Sequence, residues 1–106
     1  IPKRIFKEFE RIPTSRRDVS FVVDKSTPAS NILRAIKGVS EYIVDVVLFD
    51  LFEGKQIPQG KRNLTLAIEY QCPRRTLTDD EINSIHQKVI ELLRTRFGAL
   101  VRGIDL

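Results

Sequence analysis

The sequence predicts one α+β domain over residues 1–106, in which a four-stranded antiparallel sheet carries two helices on one face. Three observations predict this fold class. Some segments alternate apolar and polar residues, as half-buried strands do, and between them lie segments whose apolar residues recur at helical spacing. These segments follow one another in the order β, α, β, β, α, β. A chain of 106 residues is also about the size of one domain with one hydrophobic core.

The first strand and the first helix are predicted between residues 19 and 38. An extended chain puts three apolar side chains of the first strand on one side: Val19, Phe21 and Val23. Thr27 and Pro28 are typical of a helix start, with the hydroxyl as the cap and the proline at the first helical position. Gly38 is expected to end this helix in the left-handed conformation. Its apolar stripe is formed by Ile32, Leu33 and Ile36.

The second and third strands are predicted to form a hairpin with a long connection. Residues 42–52 are too rich in β-branched and aromatic side chains for a surface helix, so we expect a long strand covered on both faces for much of its length. A polar loop containing proline and glycine follows. In the third strand one face carries Leu64, Leu66, Ile68 and Tyr70.

The second helix begins with the clearest local signal in the chain. Thr78 and Glu81 have the spacing of a capping box, and Asp79 and Asp80 lie at the positive end of the helix dipole. Gly98 is the predicted stop. The apolar residues at helical spacing are Ile82, Ile85, Val89, Leu92 and Leu93.

Residues 99–101 complete the pattern as a last short strand. The whole order is that of the split-βαβ, or ferredoxin-like, arrangement. Residues 1–14 are expected to be an N-terminal extension, within which residues 5–9 form an edge strand or lie across the sheet.

Composition excludes several classes of protein. Hydrophobic residues at 42% and charged residues at 30% are ordinary for a globular protein and not for a disordered one. No stretch approaches the roughly 20 apolar residues of a membrane span. The N-terminus lacks the apolar core of a signal peptide and has no initiator Met, so we expect a piece of a longer, cytoplasmic chain.

Positive charge is concentrated in two segments. Residues 1–17 carry six Lys and Arg against two Glu, and residues 55–75 carry five against one Glu. If the two segments meet in space, they form the positive face expected for a phosphate-bearing partner. An ordinary solvated surface is the alternative that charge alone leaves open.

No catalytic or metal-binding constellation is evident. Cys72 is the only cysteine and is expected to be a small residue near a strand end. His86 is the only histidine, too few for a metal site or a hydrolytic triad, and we expect it at the surface or the boundary of the second helix. Gly54 and Gly60 do not form a nucleotide-binding motif. We therefore predict no catalytic residue, no metal and no cofactor in this chain.

The element order is shared with the RNA-recognition motif, whose third strand carries aromatic residues that stack on bases. Here that strand reads KRNLTLAIEY, and the pattern is absent. Three other stretches resemble the ferredoxin-fold anticodon-binding domain at the C-terminus of the bacterial phenylalanyl-tRNA synthetase β subunit. They are SRRDVSFVV at 15–23, LFDLFEG at 48–54 with GKRNL at 60–64, and RTLTDDE at 75–81.

This resemblance implies that the domain binds the anticodon stem-loop of tRNA-Phe. It also implies two protein partners, the rest of the β subunit and the α subunit. Aminoacylation with ATP and Mg²⁺ would occur elsewhere in the enzyme. No membrane is expected among the partners of this domain. In the family, an aromatic residue before a Glu/Gln-Gly turn stacks on the first anticodon base, a guanine. A small polar residue after a Gly-Lys-Lys/Arg run hydrogen-bonds that base. By position these are Phe52 and Asn63, where Tyr and Ser are the commoner choices.

Basic residues supply the expected contacts with the RNA backbone, since phosphate contacts position a protein on RNA. The favoured candidates are Lys55, Lys61 and Arg62, and the further candidates are Arg16, Arg17, Arg74 and Arg75. For Arg75 a structural salt bridge is an equal alternative. For Phe52 the alternative is a core residue at a strand end.

Two other classes of function are compatible with this fold, because fold alone does not decide function. A protein-interaction or small-ligand regulatory domain is favoured if Phe52 is buried and the basic segments lie on opposite sides. An acylphosphatase-type enzyme would need an arginine in a phosphate-cradling loop, and the sequence has no such loop.

Overall fold

The computed structural model describes residues 13–104. In chain order its elements are β1 (Ser15–Asp24), α1 (Ala29–Lys37), β2 (Ile43–Phe52), β3 (Lys61–Tyr70), α2 (Asp79–Phe97) and β4 (Leu100–Ile104). The four strands form one antiparallel sheet in the order β2-β3-β1-β4. The predicted ferredoxin-like α+β fold is confirmed. The segment 5–9, for which an edge strand was one expectation, and the rest of residues 1–12 lie outside the described residues.

The hydrophobic core lies between the sheet and the two helices, which cover the same face. β3 occupies a central position, and its inward side chains are at most 1% exposed: Leu64, Leu66, Ile68 and Tyr70. The helices contribute Ile32, Ile36, Ile82, Val89 and Leu93. Burying a side chain of this kind stabilises the fold by about 1.5–3 kcal/mol. The alternation predicted for β3 and the apolar stripes of both helices are confirmed.

β2 differs from the prediction, because it is an edge strand and is not covered on both faces. Only Ile43 and Val46 are buried in it. Its register against β3 shifts between residues 43 and 45 and again between 48 and 50. Such irregularities bend an edge strand, and here the helices cover one face only. Five large side chains of β2 remain 44–50% exposed: Val44, Val47, Phe49, Leu51 and Phe52. Val47 and Phe52 are opposite Ala67 and Asn63 on the uncovered face, whereas Leu51 is opposite Leu64 on the side of the helices.

Both predicted ends of α1 are wrong in detail. Pro28, with ψ 133°, is itself the N-cap residue and no side chain caps the helix. The Thr27 hydroxyl lies one residue too early, since a cap must reach the second or third helical amide. Gly38 has a right-handed φ of −77° and donates to carbonyl oxygens of the last helical turn, so no left-handed residue is needed there.

The start and the end of α2 agree with the sequence. The Glu81 amide donates to the Thr78 hydroxyl at 3.1 Å, and the Thr78 amide donates to Glu81 Oε1 at 2.8 Å. Gly98 has φ 63°, the left-handed conformation that glycine adopts without a steric penalty. The capping box and the glycine stop are therefore confirmed.

His86 is buried in the core and not at the surface or boundary as predicted. It is 0% exposed, and its Nδ1 lies 2.8 Å from the Tyr70 hydroxyl. Burial raises the pKa of that hydroxyl well above its usual value. His86 comes four residues after Ile82 and three before Val89, so helical spacing places it within the apolar stripe.

Candidate nucleic-acid interface

The structure brings together the two residues predicted to contact a base. In antiparallel pairing, Asn63 of β3 is opposite Phe52 of β2 on one side and Val22 of β1 on the other. Residues directly opposite one another share a face of the sheet. Leu64 points toward the helices, so Asn63 and Phe52 lie on the other face, which we call the helix-free face. They are at the end of the sheet where the loop 53–60 begins.

Phe52 is 46% exposed, which argues against a core role. Its ring leans over the backbone of Gly54. A Cβ atom built on Gly54 would lie 3.0 Å from Phe52 Cζ and 3.4 Å from Cε2. These distances are shorter than ordinary carbon–carbon contacts of about 3.5–4.0 Å. The absence of a side chain at residue 54 therefore gives the ring its position.

Asn63 is only 8% exposed and takes part in a short hydrogen-bond chain. Its Nδ2 donates to the Ser20 hydroxyl at 3.1 Å, and that hydroxyl lies 2.7 Å from the hydroxyl of Thr65. Asn63 Oδ1 is buried without a hydrogen-bond partner among residues 13–104. The Asn63 side chain is thus held through Nδ2, and its Oδ1 accepts no hydrogen bond from the described residues. Because Asn63 is buried, the side chains around it must move before a base can reach Oδ1.

The loop 53–60 forms the rim of a cleft of about 620 Å³ beside Phe52. Ile57 anchors the loop, since it is 5% exposed and its amide donates to the Gly54 carbonyl at 3.0 Å. Lys55 is exposed and lines the cleft. Lys61 lines it too and forms an ion pair with Asp24 at 2.9 Å. Two favoured phosphate candidates therefore lie close to Phe52.

Arg62 is not brought to this surface. It shares the inward side of β3 with Leu64 and is opposite Val23, which is buried against the helices. Its Nη2 donates to the Thr27 carbonyl oxygen at 3.0 Å. Arg62 therefore ties β3 to the turn before α1, and its predicted phosphate contact remains untested.

The other basic candidates lie at the opposite end of the sheet. Arg16 is opposite Glu69, six residues along β3 from Asn63, or about 20 Å at roughly 3.3 Å per residue. Arg16 Nε donates to Asp18 at 2.7 Å, and its guanidinium carbon lies 5.1 Å from the centre of the Phe49 ring. The described parts of the two basic segments thus form two groups and not one continuous positive face.

Arg17 and Arg75 of this second group are engaged with α2. Arg17 lies 3.8 Å from Asp79 and is largely covered. Arg75 binds the Glu81 carboxylate with both terminal nitrogens, at 2.8 and 2.6 Å. This hydrogen-bonded pair lowers the pKa of Glu81 to about 2. The salt bridge expected as one alternative for Arg75 is present, whereas Arg74 is exposed.

Within the described residues no cluster of three or more His, Cys, Asp or Glu side chains could hold a metal ion. No helix between residues 13 and 104 is both long and apolar enough to span a bilayer.

Comparison with known proteins gives a consistent result. The model of the ferredoxin-fold anticodon binding domain matches residues 10–102. The chain is similar to phenylalanine–tRNA ligase beta subunits, with 36% identity to that of Geobacillus kaustophilus over 92% of this chain. Identity is 39% to that of Syntrophus aciditrophicus over 92% of the chain and 37% to that of Pseudomonas fluorescens over 96%. The chain spans only 12–13% of the length of these relatives.

Proposed function

Because this chain belongs to the ferredoxin-fold anticodon-binding family, we propose that it binds the anticodon stem-loop of tRNA-Phe as a module of a phenylalanyl-tRNA synthetase β subunit. The observation that carries this proposal is the exposed ring of Phe52. It lies at the end of the sheet, opposite a polar residue and beside a cleft lined with lysines. Aromatic rings presented in this way stack on unpaired bases of RNA loops.

Phe52 would stack on the first anticodon base, a guanine. Base–aromatic stacking is worth about 1–3 kcal/mol per base by alanine substitution. Asn63 would then offer Oδ1 to a donor of the same base, after the local opening that its burial requires. A buried acceptor without a partner costs about 1–3 kcal/mol, so a hydrogen bond from the base removes an existing penalty. Guanine suits this acceptor, because its amino group is a donor.

Lys55 and Lys61, which line the same cleft, would contact the RNA backbone phosphate next to the stacked base. Lys61 is already paired with Asp24, but an exposed ion pair of this kind contributes little and exchanges readily. Arg16, about 20 Å away along the sheet, and Arg17 and Arg74 toward the same end would reach only a more distant part of the RNA backbone. Arg62 and Arg75 contribute chiefly to the fold through Thr27 and Glu81.

The rest of the reaction would take place outside this chain. We propose that aminoacylation, with ATP and Mg²⁺, occurs on the α subunit in the cytoplasm, and that this chain adjoins the remainder of the β subunit. Its contribution is recognition and not catalysis.

The proposal is tested by titrating this chain with a tRNA-Phe anticodon stem-loop and with a copy altered at the first anticodon base, at two salt concentrations. We expect weak, salt-sensitive binding that favours the guanine. Phe52→Ala should weaken binding by about 5- to 150-fold. Phe49→Ala is the matched control, since Phe49 is a phenylalanine of β2 with a similar exposed fraction, and the Arg16 guanidinium lies over its ring. Equal and salt-insensitive binding of both RNAs by all variants would refute the proposal.

A protein-interaction module is the second candidate. The exposed apolar side chains of edge strand β2 favour it, because such an edge can accept another strand. The separation of the basic residues into two groups also favours it, whereas the exposure of Phe52 does not. The titration decides between the two, because a protein-interaction module has no preference for guanine.

A further inference from the structure

We propose that Lys25 completes a phosphodiester-binding subsite with Lys55 and Lys61, in the cleft directly beside Phe52. The ligand would be the backbone phosphate next to the base stacked on Phe52. This inference rests on the proposed function and adds to it a residue outside both basic segments of the sequence.

Backbone contacts fix the position of Lys25 in the cleft. Lys25 follows the last residue of β1, and its amide donates to the Gly60 carbonyl at 3.0 Å. The turn after β1 is thereby joined to the loop 53–60. The cleft of about 620 Å³ is lined by all three lysines and by Gly54, over which the Phe52 ring lies. A nucleotide whose base stacks on Phe52 would place its phosphate toward this cleft, because Gly54 both lies under the ring and lines the cleft.

The charges around the cleft suit a single phosphodiester. Lys25 is paired with Glu53 at 3.2 Å and Lys61 with Asp24 at 2.9 Å, while Lys55 has no ion pair among residues 13–104. The three cations and two carboxylates leave one positive charge. Both pairs are 40–60% exposed, so the carboxylates compete weakly with a phosphate that accepts hydrogen bonds from several lysines at once.

Lys25→Ala and Glu53→Gln test the subsite with effects of opposite sign. Lys25→Ala should weaken binding of the stem-loop by roughly three- to tenfold at low salt and reduce the slope of log Kd against log salt by about 0.7–0.9. Glu53→Gln frees Lys25 from its carboxylate and should tighten binding. A misfolded variant cannot bind more tightly, so the second change remains informative if the first disturbs the loop.

Lys37→Ala is the matched control, because Lys37 is an exposed lysine at the end of α1. We expect it to leave the slope unchanged. The effect of Lys25→Ala should also be equal for the stem-loop with the altered first base, since a phosphate contact does not read sequence. The effect of Phe52→Ala should be larger for the guanine-containing loop.

Two results would overturn the subsite. The first is that Lys25→Ala and Lys37→Ala give the same slope of log Kd against log salt, and that Glu53→Gln does not bind the stem-loop more tightly. If Phe52→Ala still weakens binding in that experiment, the proposed function stands and only the subsite fails. The other is displacement of the stem-loop by millimolar inorganic phosphate at constant ionic strength, which would assign the cleft to free phosphate. We expect inorganic phosphate to compete no better than chloride.

Discussion

Replacing Gly54 by alanine should separate the position of the Phe52 ring from the stability of the fold. The added Cβ would lie 3.0 Å from Phe52 Cζ, so the end of the ring must move by about 0.5–1 Å to regain an ordinary contact. The ring is 46% exposed and has room to move. The substitution thus displaces the predicted stacking surface without removing it.

The expected change in stability is small and favourable. Gly54 lacks the positive φ of Gly60 and Gly98, so alanine can adopt its backbone conformation. Alanine restricts the unfolded chain at such a position and raises the free energy of unfolding by about 0.4–1 kcal/mol. Urea unfolding of the Gly54→Ala chain should therefore show an unchanged or slightly higher midpoint.

The expected change in RNA affinity is a loss. A displaced ring should lose part of the stacking energy of about 1–3 kcal/mol, which corresponds to roughly two- to tenfold weaker binding of the anticodon stem-loop. A double-mutant cycle isolates the cause, because in the Phe52→Ala background no ring remains to be displaced. There Gly54→Ala should cost nothing further.

Gly38→Ala is the control for a glycine-to-alanine change away from the site. Its Cβ would meet Ala35 O at 3.4 Å, at the end of α1, and affinity should not change. The reasoning is refuted if Gly54→Ala weakens binding equally with and without the Phe52 ring, or if it leaves affinity unchanged while Phe52→Ala lowers it.

Three further predictions concern the fold. Thr78→Ala should lower the free energy of unfolding in urea by about 1 kcal/mol, because the Glu81 amide loses its hydrogen bond to the Thr78 hydroxyl. Thr78→Ser retains a hydroxyl at this position and should lose much less stability. Tyr70→Phe removes the hydroxyl beside His86 Nδ1 and should cost about 1–3 kcal/mol in the same assay, and no loss would contradict the buried hydrogen bond. The pKa of Glu81 falls from 4.5 to about 2 on folding through its bond with Arg75, so its contribution is complete above about pH 4.5 and disappears as the pH falls toward 2. Glu81→Gln should flatten the dependence of the urea midpoint on pH over this range, and an unchanged slope would show that the pair does not act in solution.

The elements that the sequence predicted well depend on residues close together in the chain. A capping box needs only Thr78 and Glu81, three positions apart, and the glycine stop needs only Gly98. The inward face of β3 follows from alternation alone. One error was avoidable on the same basis, because helical spacing already put His86 in the apolar stripe. Alternation back from Leu64 also puts Arg62 on the inward side of β3, while its predicted phosphate contact stays a prediction.

Other features were decided by which distant strands pair. Apolar composition made β2 resemble a covered strand, but its place at the edge depends on β3 pairing with both β1 and β2. The same pairing sets Asn63 opposite Phe52 and separates Arg16 from them by about 20 Å. Lys25 reaches the cleft only because the turn after β1 meets the loop 53–60.

The order of strands and helices, the ends of α2 and the family resemblance can therefore be predicted from the amino-acid sequence alone, and the match over residues 10–102 confirms the resemblance. The exposed face of each strand, the places where basic side chains gather and their pairing with carboxylates follow from the packing of the folded chain. These two sets of features differ in the sequence separation of the residues that produce them. Capping and periodicity are settled within a few residues, whereas exposure and charge clustering depend on how the whole chain packs around one core.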